Sequence, residues 1–171
     1  FQAGKTEAFE EIYARHARRM MSYLISMLED RQLSEDVLQE VFTHFAQGAA
    51  RLNHETNVAA YLFRSARNGA VSALRNRNRI MQVVASEALV FERQRSDLPA
   101  AYANLESQEL RTRLNAALFK LSEAEREVVM LRTQGELTFQ EIAEITQNPL
   151  STVATRYENG IKRLKGFLGH E

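Results

Sequence analysis

The sequence contains no cysteine and no tryptophan, only two prolines and seven glycines, and no net charge, since 22 basic residues balance 22 acidic ones. Without cysteine there can be no disulfide, no thiolate metal site and no cysteine nucleophile. No apolar run approaches the roughly 20 residues needed to cross a bilayer. The opening stretch "FQAGKTEAFEE" has neither the basic nor the apolar part of a signal peptide. A cytoplasmic protein without membrane insertion is expected, and Phe1 in place of an initiator Met implies residues ahead of it. Four histidines are scattered at His16, His44, His54 and His170, and neither a glycine-rich phosphate loop nor a nucleophile–base arrangement is visible. No metal, cofactor, small-molecule substrate or enzymatic chemistry is expected. Apolar spacing is helical almost throughout, and no alternating run is bounded by turn residues, which predicts an all-α fold.

The zero net charge conceals segregation along the chain. Residues 29–40 hold five acids (Glu29, Asp30, Glu35, Asp36, Glu40) against Arg31, whereas residues 58–79 hold five arginines and no acid. Residues 85–110 again hold five acids, against Arg93 and Arg95. Residues 151–169 hold Arg156, Lys162, Arg163 and Lys165 against Glu158. Alternation of this kind suits several partners rather than one.

A first helix is expected from about Thr6 to Leu28, with Phe9, Ile12, Tyr13, Met20, Leu24 and Leu28 as its apolar side. Ser34 is the expected N-cap of a second helix, with Glu35 and Asp36 in its dipole-favoured first turn. That helix would bury Val37, Leu38, Val41, Phe42 and Phe45 and end near Gly48. After the polar loop "RLNHETN", a third helix is expected from Asn57 to about Arg79. Residues 80–104, where periodicity weakens and Pro99 interrupts, read as an acidic linker between a first module (residues 1–79) and a second (residues 105–171). In the second module Ser122 with Glu125, and Thr138 with Glu141, match the capping-box signature at two helix starts.

The stretch "FQEIAEITQNPLSTVATRYENGIKRLK" (139–165) is two short helices broken at Asn148-Pro149, because proline lacks an amide hydrogen and restricts the residue before it. Ala143 supplies a small contact, Ile142 and Ile145 face inward, and Ser151 is the expected cap of the second helix. At 100° per residue, Val153, Tyr157, Ile161, Leu164 and Leu168 form one stripe. Thr152, Thr155, Arg156, Asn159, Lys162 and Arg163 fall opposite, a set suited to base edges and phosphates in a major groove. A solvated face of a core helix is the plainer alternative. In the third helix Leu62, Phe63, Ala66, Ala70, Ala73 and Leu74 share one side, and Tyr61, Arg64, Arg67, Asn68 and Arg75 the other. An aromatic among arginines could stack on an unpaired base while the cations hold phosphates; alternatively Tyr61 is the edge of the core on a solvated basic helix.

Taken together, four segments in order resemble a sigma factor of the sigma-70 family, of the extracytoplasmic-function (ECF) type. "AFEEIYARHARRMMSYLISML" looks like the start of region 2. "SEDVLQEVF" is close to the family's Asp-Leu-Val-Gln-Glu-Val-Phe run. "AAYLFRSARNGAVSALRNRNR" is similar to the promoter-melting helix, and "LNAALFKLSEAEREVVMLR" with the stretch after it looks like region 4. The resemblance covers nearly the whole chain and implies two small helical domains joined by a linker.

It also implies roles and partners. Asp36, Gln39 and Glu40, with Thr43 beside them, would bind the β′ clamp helices of core RNA polymerase; the alternative for Asp36 is a favourable helix-end charge alone. The β flap, promoter DNA and an anti-sigma factor are the other implied partners. Asn53, His54, Thr56 and Asn57 could line the pocket for a flipped minus-ten base, with Tyr61, Arg64, Arg67, Asn68 and Arg75 on the opened strand; His54 is equally an ordinary loop histidine. Ala154, Thr155 and Asn159 fall on the family's minus-thirty-five base-reading positions, with Arg156 on a phosphate. The sequence departs from the family pattern in three places: Tyr61 for tryptophan, Ala154 for a frequent lysine or arginine, and Gln147 for glycine. The linker would thread toward the RNA exit path or act as a plain tether. The rival to a promoter-specificity subunit is a helix-turn-helix regulator acting without polymerase; a pure protein-interaction module is a third possibility.

Overall fold

A computed structural model describes residues 6–48, 57–84 and 105–169. Among them are seven helices and no strand, as two helical clusters on either side of the linker. The first cluster holds α1 (Thr6–Leu28), α2 (Arg31–Gly48) and α3 (Val58–Val84). The second holds α4 (Leu105–Phe119), α5 (Glu123–Thr133), α6 (Phe139–Thr146) and α7 (Leu150–Leu168).

In the first cluster α1, α2 and α3 all pack on one another. Met20, Leu24 and Leu28 of α1 meet Val37, Val41, Phe42 and Phe45 of α2 and Leu62, Phe63, Ala66 and Ala70 of α3, all buried. Tyr13 is the outlier of the expected apolar side. It is 45% exposed, yet its ring lies 4.7 Å from that of Phe42. Gly69 lets α3 approach α2: a Cβ there would lie 2.8 Å from Cγ1 of Val37.

The second helix starts earlier than expected. Asp30, not Ser34, receives the first amide through its side chain, from Leu33 N–H at 3.0 Å. Ser34 is fully buried inside the helix and donates its hydroxyl to the Asp30 carbonyl at 2.6 Å. The acid four residues upstream captures the cap position, so Glu35 and Asp36 sit beyond the first turn. The third helix starts where expected, with the Asn57 side chain accepting from Ala60 N–H at 3.2 Å. It does not stop at Arg79 but runs on to Val84, inside the expected linker.

The two capping boxes form as the sequence predicts. Ser122 and Glu125 exchange both bonds at the start of α5, and Thr138 and Glu141 do so at the start of α6. The break after α6 is a left-handed turn: Gln147 adopts φ 56° and ψ 39°, and Asn148 N–H returns to the Ala143 carbonyl at 3.1 Å. Ser151 does not cap α7. Its N-cap is Pro149, with φ fixed at −56° and no side-chain bond, so the helix begins at Leu150 and Ser151 lies exposed in its first turn.

The two clusters also pack against each other, α1 on α5 and α3 on α6. Along α1, Met21, Tyr23 and Ile25 are buried in addition to the expected Met20, Leu24 and Leu28, and the Tyr23 hydroxyl meets Glu127 of α5.

Candidate nucleic-acid interface

The four residues expected to dock on polymerase share one exposed face of α2. Asp36, Gln39, Glu40 and Thr43 are all exposed, whereas Val37, Val41, Phe42 and Phe45 on the other side are buried. Asp36 accepts from Gln32 at 3.2 Å and the Thr43 hydroxyl donates to the Gln39 carbonyl at 2.8 Å. Both bonds lie within the helix, so neither ties this face to another element.

Of the residues expected on the minus-ten strand, Asn53, His54 and Thr56 lie outside the described residues. The others divide into four groups. Tyr61 is partly buried, with its ring 5.9 Å from that of Phe45, so it forms the edge of the core. Arg75 lies farther along α3, lining a groove shared with Asp36 and Glu40 of α2. Asn68 is exposed.

Asn57, Arg64 and Arg67 each meet a carboxylate of the second cluster. The Asn57 amide donates to Glu141 at 2.6 Å, Arg64 to Glu144 at 3.4 Å and Arg67 to Glu127 at 2.8 Å. Around this row, Arg19 pairs with Glu136 at 2.9 Å and Arg126 with Glu29 at 3.3 Å. The buried Tyr23 hydroxyl also faces Glu127, at 3.4 Å. Burial first, then the Glu127 charge, drives the Tyr23 hydroxyl well above its usual pKa, against the pull of Arg67. Burial raises Glu141, but hydrogen bonds from the Thr138 backbone and side chain and from Asn57 outweigh it and hold the carboxyl below its usual range.

On α7 the expected stripe is inside: Val153 and Leu164 are buried and Tyr157, Ile161 and Leu168 pack partly against the core. Thr155, Asn159, Lys162 and Arg163 are exposed; Thr152, Ala154 and Arg156 are half-buried. Glu158, also exposed, borders this face. Arg163 leans back to Glu125 at 3.0 Å, which draws its guanidinium toward α5. The buried Gly160 sets the α5–α7 crossing: a Cβ there would stand 2.8 Å from Cγ2 of Val129.

Sequence reasoning missed the acids Glu127, Glu136, Glu141 and Glu144, which meet the first cluster. Their only local signal was helix capping at Glu141; the partners stand 60 or more residues away in sequence for Glu127, Glu141 and Glu144. No group of His, Asp and Glu among the described residues is placed to hold a metal ion.

Comparison with known proteins agrees with this two-cluster organisation. Sigma-70 region 2 matches residues 12–80, and sigma-70 region 4 matches residues 117–166. The RNA polymerase sigma factor CarQ of Myxococcus xanthus is 31% identical over 99% of this chain and 94% of its own length. The ECF RNA polymerase sigma factor RpoE of Cereibacter sphaeroides is 26% identical over 92% of this chain and 84% of its own. Among solved structures, the sigma factor RpoE bound to the anti-sigma factor NepR, from Bartonella quintana, superimposes with a TM-score of 0.78. It covers 97% of this chain and 99% of that one at 23% identity, a likeness of fold. The chain belongs to the sigma-70 family of RNA polymerase sigma factors, in its ECF branch. Its function is that of the family: a specificity subunit, not a catalyst, that directs transcription initiation through core polymerase and promoter recognition.

Proposed function

We propose that this function is carried by three separate faces of the chain. Asp36, Gln39, Glu40 and Thr43 dock on the β′ clamp helices of core polymerase. Asn53, His54, Thr56 and Asn57, with Arg64, Arg67 and Asn68, capture and hold the opened minus-ten strand. Tyr61 contributes from the core edge, and Arg75 joins the docking groove beside Asp36 and Glu40. Thr152, Ala154, Thr155 and Asn159 read the minus-thirty-five duplex, with Arg156, Lys162 and Arg163 on phosphates. The second module, residues 105–171, would rest on the β flap, tethered by the linker to residues 1–79.

The observation that carries this reading is the exposed row on α2. A helix that buries Val37, Val41, Phe42 and Phe45 needs its other face only to be soluble. A row of two acids and two neutral polar groups that bonds to no other element among the described residues is instead a surface left open for a protein. On α7, the uncapped first turn leaves amides directed outward, where the positive end of the helix dipole favours a phosphate.

The solved relative bound to NepR makes an anti-sigma factor a further proposed partner. Polymerase and promoter place the work in the bacterial cytoplasm, and no helix among the described residues is long and apolar enough to cross a membrane. Run-off transcription with core enzyme on a random promoter library tests the reading. Promoter-dependent products are expected only when chain and core are combined; tight operator binding by the chain alone, with no such products, would overturn it.

A further inference from the structure

Leu150, Ala154 and Glu158 follow one another at four-residue spacing on α7, outside its buried stripe. Four residues carry an α-helix about 40° past a full turn and about 6 Å along its axis, so the three form one slanting row. Leu150 is 48% exposed, Ala154 is half-buried and Glu158 is exposed. Glu158 is the one acid of α7, among Arg156, Lys162, Arg163 and Lys165. Lys162 stands four residues on, the spacing at which Glu and Lys pair best. Yet the Glu158 side chain has no ion pair or hydrogen bond among the described residues. The neighbouring row, Ser151, Thr155 and Asn159, is exposed and polar. There the Thr155 hydroxyl proton is committed to the Ser151 carbonyl at 2.9 Å. Singly, an exposed leucine or a surface glutamate is ordinary. On a face that enters a major groove, however, Leu150 leaves apolar area in water and Glu158 repels phosphates, unless each meets a matching base edge.

We infer that Leu150, Ala154 and Glu158 form a pyrimidine-reading row, with Leu150 and Ala154 on thymine methyl groups and Glu158 on a cytosine amino group. The inference rests on the reading above, that α7 enters the major groove of the minus-thirty-five duplex. Thymine alone presents a methyl group in that groove, and apolar side chains contact it. Cytosine presents its N4 amino donor there and no acceptor, whereas adenine sets N7 beside its amino group, guanine offers two acceptors and thymine offers O4. An ionised carboxylate only accepts, so it matches cytosine and is opposed by an acceptor on each other base. Leu150 stands at the start of α7, whose N-cap Pro149 makes no side-chain bond, and the N-terminal residues of a recognition helix contact base edges. The short Ala154 lets the helix approach those edges, where a longer cation would reach guanine or a phosphate. With about 6 Å between row members and about 3.4 Å between stacked base pairs, neighbours in the row meet positions about one to two base pairs apart. The row therefore specifies a short pyrimidine tract on one strand, with cytosine at one end.

The full chain assembled with core polymerase tests the row, on a promoter library randomised through the minus-thirty-five element. Selection by run-off product should return cytosine at one position and thymine beside it on the same strand. Glu158→Gln should move the preference at the cytosine position toward adenine, whose N6 and N7 suit an amide, by about fivefold to 100-fold. In the selected duplex, deoxyuridine in place of thymine removes only the methyl group and should weaken promoter binding about twofold to tenfold. At the thymine farthest from the cytosine, Leu150→Ala should abolish that difference. Leu150 and Glu158 are both exposed, so helix content should be unchanged in either variant, which far-UV circular dichroism checks. Tighter binding by Glu158→Gln on every sequence alike would mark an acid that merely repels phosphates, and would overturn the cytosine contact. Deoxyuridine tolerated as well as thymine would overturn the methyl contacts. Promoter-dependent product from variants that keep the parent's base preferences removes only the row. No promoter-dependent product from the unaltered chain removes the promoter role assigned to α7, and the row with it.

Discussion

Gly160 fixes how closely the recognition helix α7 rides on α5, and Gly160→Ala tests that spacing. The added methyl would lie 2.8 Å from Cγ2 of Val129 and 3.7 Å from Cβ of Glu125. Carbon atoms prefer about 3.5–4.0 Å, so about 1 Å must be found. Val129 is 3% exposed, and a β-branched side chain in a helix has essentially one rotamer, so it cannot swing aside. The helices must part instead, at an overpacking cost of about 1–3 kcal/mol. Alanine in place of glycine inside a helix offsets about 1 kcal/mol of that. The single variant should thus be less stable by about 0–2 kcal/mol, too broad a range to decide anything alone. Pairing it with Val129→Ala sharpens the test. Val129→Ala by itself leaves a void and should cost about 1–3 kcal/mol. In the double variant the new methyl enters that void, the overpacking cost disappears, and the gain in helix propensity stays. The double variant should be about 1–3 kcal/mol more stable than the two single effects summed. Urea unfolding followed by far-UV circular dichroism measures all four chains. Additivity within about 0.5 kcal/mol would refute the close crossing.

Four further outcomes are expected. Gln147→Gly, at φ 56°, should raise stability by about 1 kcal/mol by relieving a left-handed side chain; a lower melting temperature would show that the glutamine side chain makes a compensating contact. Asn159→Ala should cost about 1–3 kcal/mol at one base pair of the minus-thirty-five element, read by selection from a promoter library, whereas equal loss on every sequence means a phosphate contact. Glu40→Arg should weaken binding to core polymerase by about 2 kcal/mol or more with helix content unchanged; unaltered affinity removes Glu40 from that surface. His16 is held below its usual pKa by burial first, then by Arg19 and Arg15, against Glu136. The folded chain then takes up a proton less readily than the unfolded one, so stability is full above about pH 6.5 and falls as pH drops below it. His16→Gln should flatten that part of the stability–pH curve, and an unaltered slope in thermal melts would count against the assignment.

What was legible in the sequence was local. Ser122 with Glu125, and Thr138 with Glu141, declared their helix starts because both partners of each bond stand three residues apart. The failures at Ser34 and Ser151 were local too: each was the right residue type, but Asp30 and Pro149 acted first along the chain. The long-range features left no such trace. Gly69 and Gly160 are close approaches to Val37 and Val129, visible only once α2 meets α3 and α5 meets α7. Tyr23 sits off the expected apolar stripe of α1, and its partners lie far along the chain: Phe63 of α3 against its ring and Glu127 of α5, 104 residues on, at its hydroxyl.

Glu125, Arg126 and Glu127 carry the same lesson into the electrostatics. In "SEAEREVV" the sequence declares a capping box, yet all three of these charged residues are buried. Burial of a charge is costly unless it is paired, and each has its partner: Arg163 for Glu125, Glu29 for Arg126, Arg67 for Glu127. Two of those partners belong to the first cluster, so the cost of desolvating Arg126 and Glu127 is offset only while the clusters stay together. If they separate, water must reach both groups at once, and Arg67 regains its donors in the same step. Two of the five arginines of α3, Arg64 and Arg67, are matched in this way by Glu144 of α6 and Glu127 of α5.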